Sequence, residues 1–279
     1  MKNFNVIAEI GCTHIGSLDR AKELAKLAKL SGADILKTQK RNPEESTPKE
    51  WWNKPHPNSM FSYGETYLDH RKNVELDADQ HASLKEYCED IGLEYSSSVW
   101  DMTSAKQIAA LGPKLIKIPS ACNCNWELLN FLLEEYDGIV HISTGMIVYN
   151  ERDEILAKVA EQKHRVVIYH CTSGYPVPFE SLYLKEIPKL CKLFPNVGFS
   201  NHGYGIAMEP VAYALGARWF ERHFIDDRMF KHTDAACSLE PQGLSKLVRD
   251  LKAVQKALAD KPLTLDPIEK EQRDKLRGC

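Results

Sequence analysis

The sequence predicts a single-domain (β/α)8 barrel, and three observations lead there. Short apolar runs alternate with helix-patterned segments through eight units, with no composition shift and no linker. Strict alternation of this kind specifies a parallel sheet. The length, 279 residues, is that of one closed barrel. No Gly-rich dinucleotide fingerprint follows the first strand, since Gly11 and Gly16 alone do not make one, which argues against an open doubly wound sheet.

Each element has its own local reason. Phe4–Ile10 is a strand-like apolar run carrying Glu9 near its end, with Gly11 and His14 just after. Ser17 is placed to cap LDRAKELAKLAKL, whose apolar residues recur at helical spacing, and Ser31-Gly32 closes it. Ala33–Thr38 reads as the second strand, followed by Gln39 and Lys40. From Arg41 to about Leu76 the pattern breaks among prolines and the aromatic residues Trp51, Trp52, Phe61, Tyr63 and Tyr67. This is too long for a plain connection and reads as a functional excursion over one face.

Alternation then resumes. A helix is expected over Asp77–Asp90, a strand over Leu93–Ser97, and a helix capped by Asp101 or Thr103 that reaches Leu111. Strand Leu115–Ile118, helix Trp126–Glu134, strand Gly138–Ile142, helix Glu151–Glu161 and strand Val166–Tyr169 follow. After helix Leu182–Leu193, strands Val197–Phe199 and Ala217–Phe220 flank a helix over Ile206–Leu215, and a long helix runs from Pro241 to Leu258. The barrel domain is thus residues 1–265, with the excursion at about 41–76, and 266–279 is a charged tail compatible with a helix.

Composition narrows the function. Hydrophobic residues make up 43% of the chain, enough for a large core, and the net charge of -3 gives no footprint for nucleic acid. No apolar run approaches the length that spans a bilayer, and MKNFNVIAEIGC enters a strand without a signal-peptide pattern. The close pair among the 8 cysteines, Cys122 and Cys124, has no matching second pair for a zinc site. The cysteines read as reduced thiols of a cytoplasmic protein.

In such barrels the carboxyl ends of the strands build the active site. Those positions hold Glu9 and His14; Lys37 and Gln39; Ser97 and Ser98; Lys117 and Ser120; and Ser143 and Thr144. The later strands contribute His170, Thr172, Ser173 and Tyr175; Ser200, Asn201 and His202; and Glu221 and His223. Lys37 and Lys117 each sit at the end of an apolar strand. A buried lysine is costly unless it meets an anion, and a phosphate or carboxylate ligand, cradled by hydroxyls and backbone N–H groups, would satisfy both. The alternatives are pairing with an internal glutamate such as Glu9, or the Schiff-base lysine of an aldolase. His202 and His223 follow neighbouring parallel strands and emerge on one side of the sheet, where two imidazoles can hold a divalent metal. The alternative is two unrelated histidines, each bonded to a backbone carbonyl.

Nine stretches in order carry a resemblance to the sialic acid synthase family. They are IAEIGCTHIGS, ADILKTQ, YSSSVWD, LIKIPS, ISTGM, HCTSGYP, FSNHGYG, ERHF and HTDAACSLEP, and the likeness runs from Val6 to about Arg277. That family condenses phosphoenolpyruvate with an aldose to give a 3-deoxy-2-ulosonic acid, on a (β/α)8 barrel. The resemblance implies a divalent metal on His202 and His223, manganese first, with Mg2+, Co2+ or Zn2+ as substitutes. It implies a phosphoenolpyruvate pocket of Lys37, Ser98, Lys117, Ser120, Ser143, Ser173 and Ser200. Glu9, Gln39, Tyr175 and Asp234 match positions near the metal, the sugar or the reacting carbons, although Tyr175 and the hydroxyls could equally tie down loops. Glu9, Lys37, Gln39 and Lys117 are the catalytic residues so implied. The expected partners are phosphoenolpyruvate, an aldose and a second copy of the chain, with no nucleic acid and no membrane.

Three features depart from the family pattern. Cys122 stands where the family has an acidic residue, two positions after the serine of its KIPS-like motif. The SDH-like triplet is Ser200-Asn201-His202. The small C-terminal antifreeze-like domain, whose arginine caps the sugar site of the partner chain, has no counterpart up to Cys279. N-acetylmannosamine is therefore expected to be a poor substrate for the isolated chain. The rival expectations are a synthase for a shorter ulosonic acid, and a barrel that serves as a binding or scaffold subunit without catalysis.

Overall fold

The computed structural model describes residues 2–278. Eight parallel strands close into a barrel in sequence order, with β8 pairing back onto β1. They are β1 (Asn5–Gly11), β2 (Ile35–Lys40), β3 (Glu94–Val99), β4 (Leu115–Ile118), β5 (Ile139–Ser143), β6 (Val166–Cys171), β7 (Val197–Asn201) and β8 (Trp219–His223). Helix α1 (Leu18–Leu30) leads from β1 to β2. The excursion after β2 holds two short helices, α2 (Pro43–Ser46) and α3 (Tyr67–Asn73), before α4 (Ala78–Asp90) returns to β3. Helices α5 (Met102–Ala110), α6 (Trp126–Glu134), α7 (Tyr149–Lys158), α8 (Glu186–Cys191) and α9 (Met208–Ala214) connect the later strands; α10 (Pro241–Ala257) and α11 (Pro267–Leu276) follow β8. No helix among the described residues is long and apolar enough to cross a membrane.

Helix starts are written in single side chains. Ser17, Asp77, Asp101 and Asn125 each accept a hydrogen bond from a backbone N–H of the first turn that would otherwise lack a partner. One face of each strand then packs on the helical shell: Val6, Ala8, Leu36, Ile116 and Val140 share a core with Ala21, Leu24, Leu84 and Leu128. Each fully buried branched side chain there contributes roughly 1.5–3 kcal/mol. Inside the barrel a smaller cluster holds Ile7, Ile35, Leu115, Val167 and Tyr169. Side chains alternate along a strand, so two residues beyond Ile7, Ile35 and Leu115 stand Glu9, Lys37 and Lys117. An apolar floor therefore carries a charged layer directly above it.

The strands run further toward the barrel mouth than the apolar runs suggest. β2 reaches Lys40 rather than Thr38, β3 reaches Val99, β6 reaches Cys171, and β7 reaches Asn201. β8 is Trp219–His223, two residues later at its start than Ala217. Polar side chains there face the mouth while their backbone stays in the ladder: Gln39 is opposite Ser98, Ser200 opposite Glu221, and Glu9 opposite His223. His223 is accordingly a strand residue and not a loop residue. Asp101, rather than Thr103, caps α5, and α8 is shorter than the expected Leu182–Leu193: it starts only at Glu186, after Tyr183 takes a left-handed φ of +44°, and ends at Cys191.

Candidate active site

A cavity of about 60 Å³ opens at the carboxyl ends of the strands. Glu9, Lys37, Gln39 and Ser98 line it from β1 to β3, and Lys117, Ser120 and Ser143 from β4, its following turn and β5. Ser200, His202 and His223 close the far side, and Tyr175 reaches in from the loop after β6. Two expected residues stand outside this lining. Ser173 lines a neighbouring cavity of about 600 Å³. Its hydroxyl and that of Ser120 nevertheless both lie 2.7 Å from where a Cβ on Gly145 would stand. The missing side chain at Gly145 leaves a hydroxyl-lined niche between them. Asp234 sits behind His223, with Oδ2 3.8 Å from Nδ1. Gly11, at a φ of +53°, lets the Gln39 amide, the Glu9 carboxylate and the Asp234 carboxylate close to within 3.5 Å of its own vacant Cβ position.

The two lysines do not wait for an external anion. Lys37 pairs with Glu9 and donates to Ser98 Oγ at 2.5 Å. Lys117 Nζ donates to Glu221 Oε1 at 2.5 Å, and Ser200 Oγ donates to the same oxygen at 3.1 Å. Glu221 Oε2 lies 3.7 Å from Lys37 and joins the two pairs. Of the readings left open for these lysines, the internal glutamate is the one the fold supplies: the barrel register brings carboxylates to both. Burial opposes every charge in this layer. At Glu9 it prevails and raises the carboxyl pKa. At Glu221 the ammonium groups of Lys117 and Lys37 outweigh burial and hold the carboxyl well below the ordinary range. Glu221 and Glu9 likewise outweigh burial at Lys37 and raise its pKa. Lys37, kept protonated in this way, is a poor Schiff-base nucleophile, whereas burial prevails at Lys117 and lowers its pKa.

His202 is held by its neighbours. Asn201 Oδ1 accepts from the Gly203 N–H at 2.8 Å, and Asn201 Nδ2 donates to Glu209 Oε1 at 2.7 Å. Arg222 donates to the same Glu209 oxygen at 2.7 Å and to the carbonyls of Gly203 and Gly205, which ties the loop after β7 to β8. His202 and His223 end with ring centroids 5.2 Å apart, and the Tyr175 ring covers His202 at 4.5 Å. Burial first, then the His223 and Lys117 charges, lower the His202 pKa to about 3, so its imidazole is neutral near pH 7. His202 Nδ1 is 3.3 Å from the Thr172 carbonyl, whereas His223 Nδ1 is buried with no hydrogen-bond partner. A neutral imidazole and an orphaned buried nitrogen on facing rings fit a divalent ion. Among the described residues no three or more His, Cys, Asp or Glu side chains form a closed metal cage.

The buried histidines also set an acid limit on stability. Burial, aided by the Lys117 charge, lowers His141 to about 3; burial, aided by His232, does the same to His14. Their unfolded values are near 6.5. Below pH 6.5 the unfolded chain takes up protons that the folded chain refuses. Their contribution is therefore full above 6.5 and is lost toward 3, at about 1.4 kcal/mol per pH unit for each. The lowered carboxylates Glu221 and Asp234 act in a more acidic window, because their unfolded values are 4.5 and 3.8. The urea midpoint should already fall between pH 6.5 and 5. His141→Asn should make that fall shallower by about 1.4 kcal/mol per unit; equal slopes would show that His141 titrates normally.

The NeuB family profile matches residues 24–262. This chain belongs to the NeuB family. It is 34% identical over 273 residues to the N-acetylneuraminate-9-phosphate synthase of Homo sapiens, a match covering 97% of this chain and 76% of that one. It is 33% identical over 264 residues to the N,N'-diacetyllegionaminic acid synthase of Campylobacter jejuni, covering 93% and 79%. Among solved structures, the N-acetylneuraminic acid (sialic acid) synthetase from Leptospira borgpetersenii, in complex with citrate, aligns with a TM-score of 0.82 at 26% identity, covering 99% of this chain and 93% of that one. Within this NeuB barrel, Glu221 is the hub that the sequence reading placed at the rim without a role. Its signal was available: it lies two residues before His223, so alternation sets both on one wall. Trp100 and Met146 also line the cavity, from loops whose sequence carries no such signal. Cys122 does not line it; its thiol donates to the Trp100 carbonyl at 3.4 Å.

Proposed function

We propose that the chain condenses phosphoenolpyruvate with an aldose and water to form a 3-deoxy-2-ulosonic acid of the sialic acid type, releasing phosphate. The observation that supports this is the convergence of two lysines, four serine hydroxyls and two facing imidazoles on one cavity. The synthases named among its relatives support the same class of product. Lys37 and Lys117, with Ser98, Ser120, Ser143, Ser173 and Ser200, hold the carboxylate and phosphate so that C3 faces the aldehyde carbon. His202 and His223 would hold a divalent ion, manganese by preference, whose chemistry there would be Lewis-acid polarisation of the aldehyde oxygen. Glu9 accepts from Gln39 Nε2 at 3.0 Å, which aims its carboxyl into the cavity. There it stabilises the positive charge that develops at C2 as the new C–C bond forms. Tyr175 shields the histidine side from bulk water. Water adds at C2, and the C2–O bond to phosphate breaks.

The test is phosphate release from phosphoenolpyruvate with manganese, across a panel of aldoses and their phosphates. With substrate labelled in the bridging oxygen, the label should leave with phosphate, because water attacks carbon and not phosphorus. Label retained in the ulosonic acid would rule the chemistry out. A borohydride-trapped adduct on Lys37 or Lys117 would move the reading to a Schiff-base aldolase.

A further inference from the structure

The rim beyond β2 and β3 carries positive charge that the chain does not balance. Arg41 follows β2, and its guanidinium stacks on Trp100 with Cζ 3.3 Å from the ring centroid. Among the described residues, its side chain has one hydrogen-bond partner, the neutral amide of Gln39, with Nη2 2.7 Å from Oε1. Gln39 and Trp100 both line the mouth cavity. Arg41 Nε is buried with no acceptor. Arg71, 8% exposed, donates to Glu75 Oε1 at 2.9 Å and to Cys12 Sγ at 3.3 Å, and its Nε is also buried without an acceptor. The Trp100 indole N–H is a third such donor.

Of the two guanidinium groups, only that of Arg71 has an ion-paired carboxylate among the described residues. One carboxylate, Glu75, stands against two guanidinium groups: Arg71 pairs with its Oε1, and its Oε2 accepts the Arg41 backbone N–H at 3.1 Å. Cys12 adds no negative charge, because burial pushes its pKa up. Asp101 is occupied by the backbone N–H groups of Asn42 and Ser104, and Asp234 faces His223 and His232. A surplus cation ringed by unsatisfied N–H donors is costly unless an anion with several acceptor oxygens completes it, and a planar guanidinium suits phosphate and carboxylate best. The phosphoenolpyruvate anion has its partners deeper, at Lys37 and Lys117. Four residues, roughly 13 Å of extended strand, separate Lys37 from Arg41. An anion at the rim therefore belongs to the other substrate.

We propose that Arg41, backed by Arg71 and Trp100, is a specificity residue that holds an anionic substituent of the aldose, a phosphate or a carboxylate. This rests on the synthase reading above and names the class of its second substrate. The test is calorimetric binding to the whole chain with manganese and without phosphoenolpyruvate, so that no turnover occurs. Three probes separate the cases: a neutral 2-acetamido hexose, its 6-phosphate, and the corresponding uronic acid. One anionic sugar should bind at least about 100-fold more tightly than the neutral one, the lower end for two charge-assisted hydrogen bonds. Which one it is tells phosphate from carboxylate. Arg41→Gln should reduce that preference to within about fivefold, and Arg41→Lys, which keeps a point charge but not the fork, should retain only part of it. Trp100→Phe, which keeps the stacking surface and removes the N–H, should lower the preference severalfold.

Equal affinity of the wild-type chain for all three sugars would overturn the proposal, with no variant needed. An undiminished preference in a folded Arg41→Gln chain would overturn it as well. Failure of every aldose to release phosphate would count against the synthase reading instead, since the binding preference is read without turnover.

Discussion

Lys117→Ala should destabilise the folded chain by about 3–5 kcal/mol, the cost of stranding one member of a buried ion pair. Lys117 is 3% exposed, and its ammonium meets Glu221 Oε1 at 2.5 Å. Without it, Glu221 keeps one hydrogen bond, from Ser200, while Lys37 stands 3.7 Å away and is already committed to Glu9. Desolvation of that carboxylate would then go largely uncompensated. Removing the pair as a unit should cost far less, because apolar or neutral replacements of similar volume leave no charge behind. Urea unfolding of Lys117→Ala, Glu221→Gln and a double Lys117→Met, Glu221→Gln chain measures this, as midpoint shifts at constant m-value. The double variant should recover most of the loss. Equal losses in Lys117→Ala and the double variant would show that the pair is not coupled as its geometry implies. In Lys117→Ala, phosphoenolpyruvate binding should also weaken by about 1.5–3 kcal/mol, the worth of a hydrogen bond to a charged group.

His223→Ala should do the opposite: leave the fold nearly intact and abolish metal-dependent turnover. The side chain ends β8 beside the cavity, and its Nδ1 has no hydrogen-bond partner to strand. Its loss should cost the fold only about 1–2 kcal/mol, within the ordinary range for a single substitution. Turnover should fall by roughly a thousandfold or more, since Lewis-acid polarisation is worth several kcal/mol in the transition state. A readout independent of turnover separates this from damage to the fold. Manganese at 100 times its Kd should stabilise the wild-type chain by about 2.7 kcal/mol, and that increment should vanish in His202→Ala and His223→Ala. Undiminished turnover in a rigorously chelated sample would end the metal assignment.

Both outcomes trace to what can and cannot be read locally. The eight strand–helix units, the cap at Ser17, and the set of polar residues at the strand ends were legible in the sequence. Their signals have short range: alternation by two along a strand, recurrence near 3.6 along a helix, and a capping side chain three residues before its N–H. Strand ends were read short at β2, β3, β6 and β7, because polar side chains facing a barrel mouth look like loop while their backbone remains paired. Only the tertiary structure decided the charge pairing. Lys117 and Glu221 are 104 residues apart, and Lys37 chose between an external anion and Glu9 through the β1–β2 register. The same holds for Ser173 and Ser120 flanking Gly145, and for Arg41 lying on Trp100 with its Nε unanswered. A salt bridge or a stacked guanidinium is set by which strands closure brings together, and Coulomb and contact energies depend on distance in space. Separation along the chain leaves no local pattern from which that distance could be read.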